Sequence, residues 1–428
     1  MVSNFKIAIA GLGTVGSKVA NLLLSSDKFL KNKSNTDFQL ICVSARDKNL
    51  KRDFDITQVE WVDQTILLSE RNDIDIIVEL IGGENGIAYE LVKNSLKNKK
   101  HVVTANKAMI AHHGHELAQI AEINKVNFLF ESAVAGGVPI LKVLKEGLVA
   151  NKISNVLGIL NGTSNYILSE MTKYNRSFDE VLKDAQNKGF AEADPSFDID
   201  GIDAAHKLAI LSSIAYEEEI DFASISVSGI RSISNLDISF ANDLGYVIKL
   251  LAIANYSGFR TVQPSLISKD SQLAKISGAL NAIEIFGNPI HSIMASGPGA
   301  GAGPTASAVI SDLMDIINER TSNSFGLQTS KLKKISSVKF EENVSRYYFR
   351  IMVKDEVGVV SSISSVLKEN NISIESMIQK SKSDNNPVSL VMTLHPTKFS
   401  KIKCLLNDLE SLDFVFEKIV SLPILDFD

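Results

Sequence analysis

Cysteine is nearly missing from this chain: among 428 residues only Cys42 and Cys404 carry a thiol. Two thiols can neither staple a small secreted domain nor supply a four-cysteine zinc site, so the fold must rest on an ordinary apolar core. Proline is scarce as well, at 9 residues, which excludes collagen-like and proline-rich repeats. Positive charge is not in excess. The 44 Lys and Arg stand against 50 Asp and Glu, a net charge of −6, so no basic field is available to hold nucleic acid or an anionic membrane. No apolar run approaches the roughly 18 residues that a membrane span needs. The opening Met1-Val-Ser-Asn-Phe-Lys6 shows no charged-then-apolar leader, and a cytoplasmic protein is expected. What remains is globular: 45% hydrophobic and 22% charged residues, over a length that suggests about three domains.

The first part alternates short apolar strands with helices. Strands are expected at 6–10, 38–43, 74–80, 101–104 and 127–130, with helices after Gly16, near 88–96 and at 113–123. That alternation predicts an α/β fold with a parallel, doubly wound Rossmann sheet over 1–131. From Ser132 the texture changes to a second α/β domain over 132–320. It has expected helices at 140–146, 178–188 and 203–215, and strands at 156–160, 243–253 and 283–286. Ser164 is expected to cap the helix after the turn Asn161-Gly-Thr-Ser164. A glycine-dense stretch, 296–304, precedes a helix over about 305–317 that is expected to return to the first domain. The polar, serine-rich segment 321–336 reads as part of a linker over 321–345. Beyond it, segments at 347–353, 359–369, 372–378, 388–393, 401–409 and 414–422 spell βαββαβ, a ferredoxin-like module over 346–428.

Gly11-Leu-Gly-Thr-Val-Gly16 stands between the first strand and the first helix. Gly11 permits a tight turn, Gly13 lets backbone approach a pyrophosphate, and Gly16 allows close packing. Free N–H groups at the start of the helix, at Thr14 and Val15, suit the same phosphates. The competing reading is a purely structural glycine turn. At the end of the second strand, Val43-Ser-Ala-Arg-Asp47 has no acid directly placed for a ribose hydroxyl. Arg46 suits a 2′-phosphate, which favours NADP; the alternative is NAD, with Asp47 on the ribose and Arg46 in solvent.

The block Gly189-Phe-Ala-Glu-Ala-Asp-Pro-Ser-Phe-Asp-Ile-Asp-Gly-Ile-Asp-Ala-Ala-His-Lys207 carries five acids before one lysine. Asp203 and Lys207 are four apart and share a helix face. Acids beside a lysine suit a zwitterionic substrate, and a half-buried lysine can move a proton. An exposed acidic loop with one helical ion pair is the plain alternative. His112, His113 and His115 cluster without an acid or cysteine to complete a zinc geometry, and read as surface residues of a helix. His206 points about 100° away from Lys207 around its helix, which suits a structural role.

Taken in chain order, the glycine motif, Thr104-Ala-Asn-Lys107, Gly158-Ile-Leu-Asn-Gly-Thr-Ser-Asn-Tyr-Ile167, the Gly189 to Lys207 block and the stretch 297–308 resemble homoserine dehydrogenase, from residue 5 to about 320. The part from Tyr347 resembles an ACT domain. The resemblance implies NAD(P)-dependent interconversion of L-homoserine and L-aspartate 4-semialdehyde, in threonine, methionine and isoleucine synthesis, by a homodimer or homotetramer. It implies that Lys207 is the catalytic proton donor and Lys107 a second active-site lysine next to the cofactor. Glu192, Asp203, Asp198 and the Gly189 backbone would hold the substrate, and Gly301 and Gly303 would approach the nicotinamide. A monovalent cation, sodium, would sit on oxygens of Glu131, Val134, Gly136 and Val138. An amino-acid effector, expected to be threonine, would bind near Gly358. There Lys354-Asp-Glu-Val-Gly-Val-Val360 departs from the ACT pattern, with Val357 where proline is common. The module's position beyond the serine-rich segment predicts that the chain up to about Ser336 folds by itself. The rival class is a non-catalytic sensor on the same scaffold, against which the full set Lys107, Glu192, Asp203 and Lys207 speaks. A semialdehyde dehydrogenase of another kind would need a catalytic cysteine motif that the sequence lacks.

Overall fold

A computed structural model of the chain describes residues 4–25, 29–320, 322–334, 340–379 and 387–425. Its first sheet is wholly parallel, with strands β1 (Phe5–Ala10), β2 (Phe38–Ser44), β3 (Glu60–Trp61), β4 (Ile76–Glu79), β5 (His101–Thr104) and β6 (Phe128–Leu129) in the order β3-β2-β1-β4-β5-β6. Alternating side chains go to opposite faces. Ile7, Ile9, Ile76 and Val78 enter one apolar cluster, while Ala8, Ala10 and Ile77 enter the other. Both faces are covered, which is why these strands read as unbroken apolar runs. Helices α1 (Thr14–Leu24), α2 (Ile87–Lys97) and α3 (Lys107–Asn124) provide most of that cover. The strand order reverses between β1 and β4, the place where such sheets open a crevice for a dinucleotide.

A short helix α4 (Ile140–Lys142) runs into a π-helical turn and then into the second layer system. It contains β7 (Lys152–Ile159), helices α5 (Gly162–Tyr174), α6 (Phe178–Asn187), α7 (Ser196–Ile199) and α8 (Ile202–Tyr216), β8 (Ser226–Val227) and α9 (Asn235–Asp243). β9 (Tyr246–Asn255), β10 (Arg260–Ser268), β11 (Leu280–Asn288), β12 (His291–Pro298) and α10 (Ala302–Ile317) follow. α10 crosses back to the first sheet, where Val309, Leu313 and Ile317 share a core with Val19 and Ile9. The last part holds β13 (Val344–Val353), α11 (Val359–Glu369), β14 (Ile374–Gln379), β15 (Val388–Lys398), α12 (Phe399–Glu410) and β16 (Val420–Leu425).

The last four strands do not form a separate sheet. Strands run β12-β11-β7-β9-β10-β16-β13-β15-β14 in one surface, joined where β16 pairs parallel with β10 at Leu266 with Ile424 and Ile267 with Leu425. Behind that seam, Arg350 Nε donates to Asp237 Oδ1 at 2.7 Å and Tyr348 donates to the same oxygen at 3.1 Å, all three residues being buried. The sheet thus runs on from the second domain into the C-terminal module, a junction that the division near Ser336 did not anticipate.

Four local expectations also change. The cap of α5 is Asn161, whose Oδ1 accepts from Ser164 N at 2.8 Å; Ser164 lies inside the first turn and donates to Asp198 O. The strand expected from Asp243 starts at Tyr246, because Ser234 and Asp237 form a capping box that starts α9. The final strand is Val420–Leu425 rather than 414–422. Residues 322–334 of the serine-rich segment lie along the protein instead of hanging free. Phe325 is buried against Phe130, and Thr329 donates from both its N–H and its hydroxyl to Glu122. Serine content hides these spaced anchors.

Candidate active site

The glycine turn behaves as its spacing suggests. Gly11 has φ +96°, and a Cβ there would meet Leu80 O at 2.5 Å, so no other residue fits. A Cβ on Gly16 would overlap Gly11 O at 1.9 Å, so Gly16 packs against the turn itself. Gly13 faces open space. Around it lies a cavity of about 320 Å³, lined by Gly11, Gly13, Arg46, Arg52, Thr65 and Leu80 among others. Arg46 is exposed at this cavity. Arg52, which sequence reasoning passed over, donates to the carbonyls of Asp47 and Leu50 and so braces the Arg46 loop. Gly301, at φ +106°, precedes α10, and Gly303 in its first turn has no neighbour that a Cβ would meet.

The two lysines come from helices that flank different sheets and converge on one acid. Lys107 is the first residue of α3, after β5; Asp203 and Lys207 lie one turn apart on α8. Asp203 Oδ1 is 3.0 Å from Lys107 Nζ, and Asp203 Oδ2 accepts from Lys207 Nζ at 2.7 Å. Lys207 Nζ also donates to Leu160 O at 2.6 Å, so two of its three N–H groups are taken. Asn161 joins the acids: its Nδ2 donates to Asp203 Oδ2 and to Asp198 Oδ1, each at 2.8 Å. Thr163 donates to the other oxygen of Asp198 at 3.2 Å.

Burial and charge set the proton affinities. Burial pulls the Lys207 ammonium below its usual range, against the attraction of Asp203. Lys107, about one third exposed, is pushed up, first by the Asp203 charge. Burial would raise the Asp203 carboxyl, but Lys207 and Lys107 together hold it well below the carboxylate range. Asp198 is raised by burial and by Asp203. A fixed anion thus sits between two cations of unequal proton affinity, where α3 meets α8.

Glu192 is exposed at the rim, and its charge adds to what keeps Lys107 protonated. Gly189 follows α6 in a left-handed turn at φ +74°. Glu131 turns its carboxylate onto Leu141 N and Lys142 N, both at 2.9 Å; burial and Asp312 push it up to about 7. The loop after it folds through two successive left-handed residues, Ala135 at φ +53° and Gly136 at +46°, and Val138 is buried. The histidines do not converge: His112 pairs with Glu84 at 3.2 Å, His113 contacts Asn85 and His115 contacts Gln119. His206 is buried against Phe222, ring centroids 4.4 Å apart, and burial pulls it down to about 4. No helix among the described residues is long and apolar enough to cross a membrane.

Similarity to known proteins agrees with this arrangement. Residues 11–131 match the NAD-binding domain of homoserine dehydrogenase, and residues 139–314 match the homoserine dehydrogenase family proper. The homoserine dehydrogenase of Helicobacter pylori is 40% identical, over 97% of this chain and 98% of that protein. The structure of a homoserine dehydrogenase from Thiobacillus denitrificans superposes with a TM-score of 0.91 at 36% identity, covering 99% of each chain. A hyperthermophilic archaeal homoserine dehydrogenase in complex with NADPH superposes at 0.63 with 28% identity, over 75% of this chain and all of that one. With its Rossmann sheet, the cavity at its glycine turn and its lysine-acid cluster, the chain belongs to the homoserine dehydrogenases, oxidoreductases that act on a small alcohol substrate with a nicotinamide cofactor.

Proposed function

We propose that the interconversion of L-homoserine and L-aspartate 4-semialdehyde takes place at the cluster of Lys107, Asp203 and Lys207, with Lys207 moving the proton. The nicotinamide cofactor supplies or takes the hydride. In the reducing direction, charge grows on the aldehyde oxygen, and the Lys207 ammonium donates a proton to that oxygen. The observation that carries this reading is the state of Lys207: buried, held by Leu160 O and Asp203, with its third N–H left for substrate. Asp203 orients both lysines. Lys107 faces the cofactor side, Glu192 and Asp198 hold the substrate's α-ammonium, and the Gly189 backbone closes the substrate pocket.

Gly11, Gly13, Thr14, Val15 and Gly16 hold the pyrophosphate, with Gly301 and Gly303 on the nicotinamide side. Arg46 pairs with a 2′-phosphate, so NADP is the preferred cofactor. Replacing Arg46 with Ala should weaken NADP(H) by about 1.5–3 kcal/mol, the range for a hydrogen bond to a charged group, and barely change NAD(H). Equal losses for both cofactors in a binding titration would reject this role.

A sodium ion on main-chain oxygens of Glu131, Val134, Gly136 and Val138 fits a loop whose left-handed turn reorients successive peptide planes. It would hold the loop's shape and takes no part in proton transfer. The C-terminal module, read as an ACT domain, binds an amino-acid effector, threonine, near Gly358, which at φ +97° opens α11. The enzyme works as a homodimer or homotetramer in threonine, methionine and isoleucine synthesis, and feedback through the module fits that place.

A further inference from the structure

Glu79 is an acid at the end of an otherwise apolar strand, Ile76-Ile-Val-Glu79, and it is fully buried. A buried carboxylate without a cation beside it is unfavourable unless several donors face it. Here three do. Oε1 accepts from Ile81 N at 2.7 Å and Gly82 N at 3.1 Å, and Oε2 accepts from the Thr104 hydroxyl at 2.5 Å. Each donor belongs to a piece of the site. Ile81 lines the cofactor cavity, and Leu80 before it is the residue that forces glycine at Gly11. Gly82 and Gly83 follow at φ +88° and +89°, a stretch that needs pinning. Thr104 ends β5 and in turn accepts from Asn106 N at 3.0 Å. Asn106 closes the circuit: its Nδ2 donates to Gly83 O at 2.7 Å, and its Oδ1 accepts from Met109 N as the cap of α3. The next residue is Lys107.

We propose that Glu79 is a positioning residue: it registers the loop at 81–83 against the start of α3 and so sets where Lys107 stands relative to Asp203 and the cofactor. Its carboxylate ties the loop after β4 to the end of β5, where Glu79 and Thr104 stand opposite each other in the sheet, and the Asn106 amide adds a second tie at Gly83. The inference rests on the reading of Lys107 as an active-site lysine, and the test separates the two.

Steady-state kinetics are measured for Glu79→Gln, Thr104→Val and Thr104→Ser, and for Glu79→Gln combined with Lys107→Ala, with melting temperatures alongside. Glu79→Gln keeps the volume but points an amide N–H at the Thr104 hydroxyl. It should lower kcat by about 10- to 100-fold while the Kd for NADP(H) stays within about 3-fold. On the Lys107→Ala background the same change should cost less than about 2-fold, because the group it positions is gone. Thr104→Val should behave like Glu79→Gln, and Thr104→Ser, which keeps the hydroxyl, should restore most of the turnover. If Glu79→Gln does not fold, the Thr104 pair carries the same comparison. Losses that are equal with and without Lys107, or normal turnover in Glu79→Gln beside an impaired Lys107→Ala, overturn the proposal. Normal turnover in Lys107→Ala overturns the reading of the site, and the positioning role with it.

Discussion

Lys207 shows what one residue's surroundings do to its chemistry. Its ammonium is lowered by burial and steadied by Asp203, so it gives up its proton at a lower pH than the 10.5 of a free lysine. The two reaction directions must then respond to pH with opposite sign. With Lys207 as the proposed proton carrier, aldehyde reduction would need the ammonium and should fall as pH rises through the Lys207 pKa, and homoserine oxidation would need the free amine and should rise over the same interval. Asp203→Asn removes the stabilising anion, so both limbs should move to lower pH. Profiles of kcat in the two directions check this, and limbs that run the same way would assign the proton to another group. The spacing of Asp203 and Lys207 on one helix face was legible, because helical periodicity is local. The meeting of Asp203 with Lys107 was not legible from periodicity, since the two stand far apart in the chain, and only the family resemblance placed both in one site. Asn161 was seen as a turn residue; that one amide both caps a helix and bridges two acids depends on β7 ending beside α8.

At the scale of elements, the strand-helix alternation of the first sheet was readable because both faces are buried and its longer strands are mainly apolar, whereas the two-residue β3 left no such run. The second sheet was read less well. α9 was missed although Ser234 and Asp237 form a capping box, since the helix is short and Leu236, Ile238 and Phe240 alternate with polar residues as in a strand. The serine-rich segment was misread because composition does not register where Phe325 and Thr329 fall. The element that the site depends on most is the start of α5. Asn161→Ala removes the cap and leaves Asp198 and Asp203 without their shared donor. A loss of about 1–2 kcal/mol in stability is expected from the cap alone. Turnover should fall at least 10-fold, about the lower end of what misplacing catalytic groups does. Chemical denaturation and kinetics on the same sample check both. A stability loss with unchanged turnover would mean that the bridge between the acids is dispensable.

At the scale of the molecule, the continuous sheet changes what the C-terminal module is. Cutting the chain near Ser336 removes β16 from the side of β10 and takes Arg350 and Tyr348 away from Asp237, which keeps only Ser234 as a side-chain partner among the described residues. The cut also uncovers the β10 edge and the apolar surface that Tyr348, Leu422 and Ile424 share with Ile248 and Leu266, so the truncated protein should melt below the full chain and tend to aggregate. A melting temperature unchanged by truncation would show that the seam carries no stability. The βαββαβ order was legible from local patterns; the seam was not, because strand pairing between distant segments leaves no periodic mark in either. The same seam would give the proposed effector at Gly358 a continuous route to α9 and α5, worth roughly 1–3 kcal/mol of coupling if the two ends have two arrangements. Threonine inhibition of the intact enzyme, measured beside its effect on melting, checks that route. Neither inhibition nor a melting shift would exclude threonine as the effector.

The most direct test of the whole account is homoserine-dependent reduction of NADP⁺, followed by nicotinamide absorbance, in the unaltered chain and in Lys207→Ala, with cofactor binding measured in parallel. The account predicts clear turnover in the first and a loss of at least about 10²-fold in the second, at nearly unchanged cofactor affinity. Turnover in Lys207→Ala equal to that of the unaltered chain would contradict it.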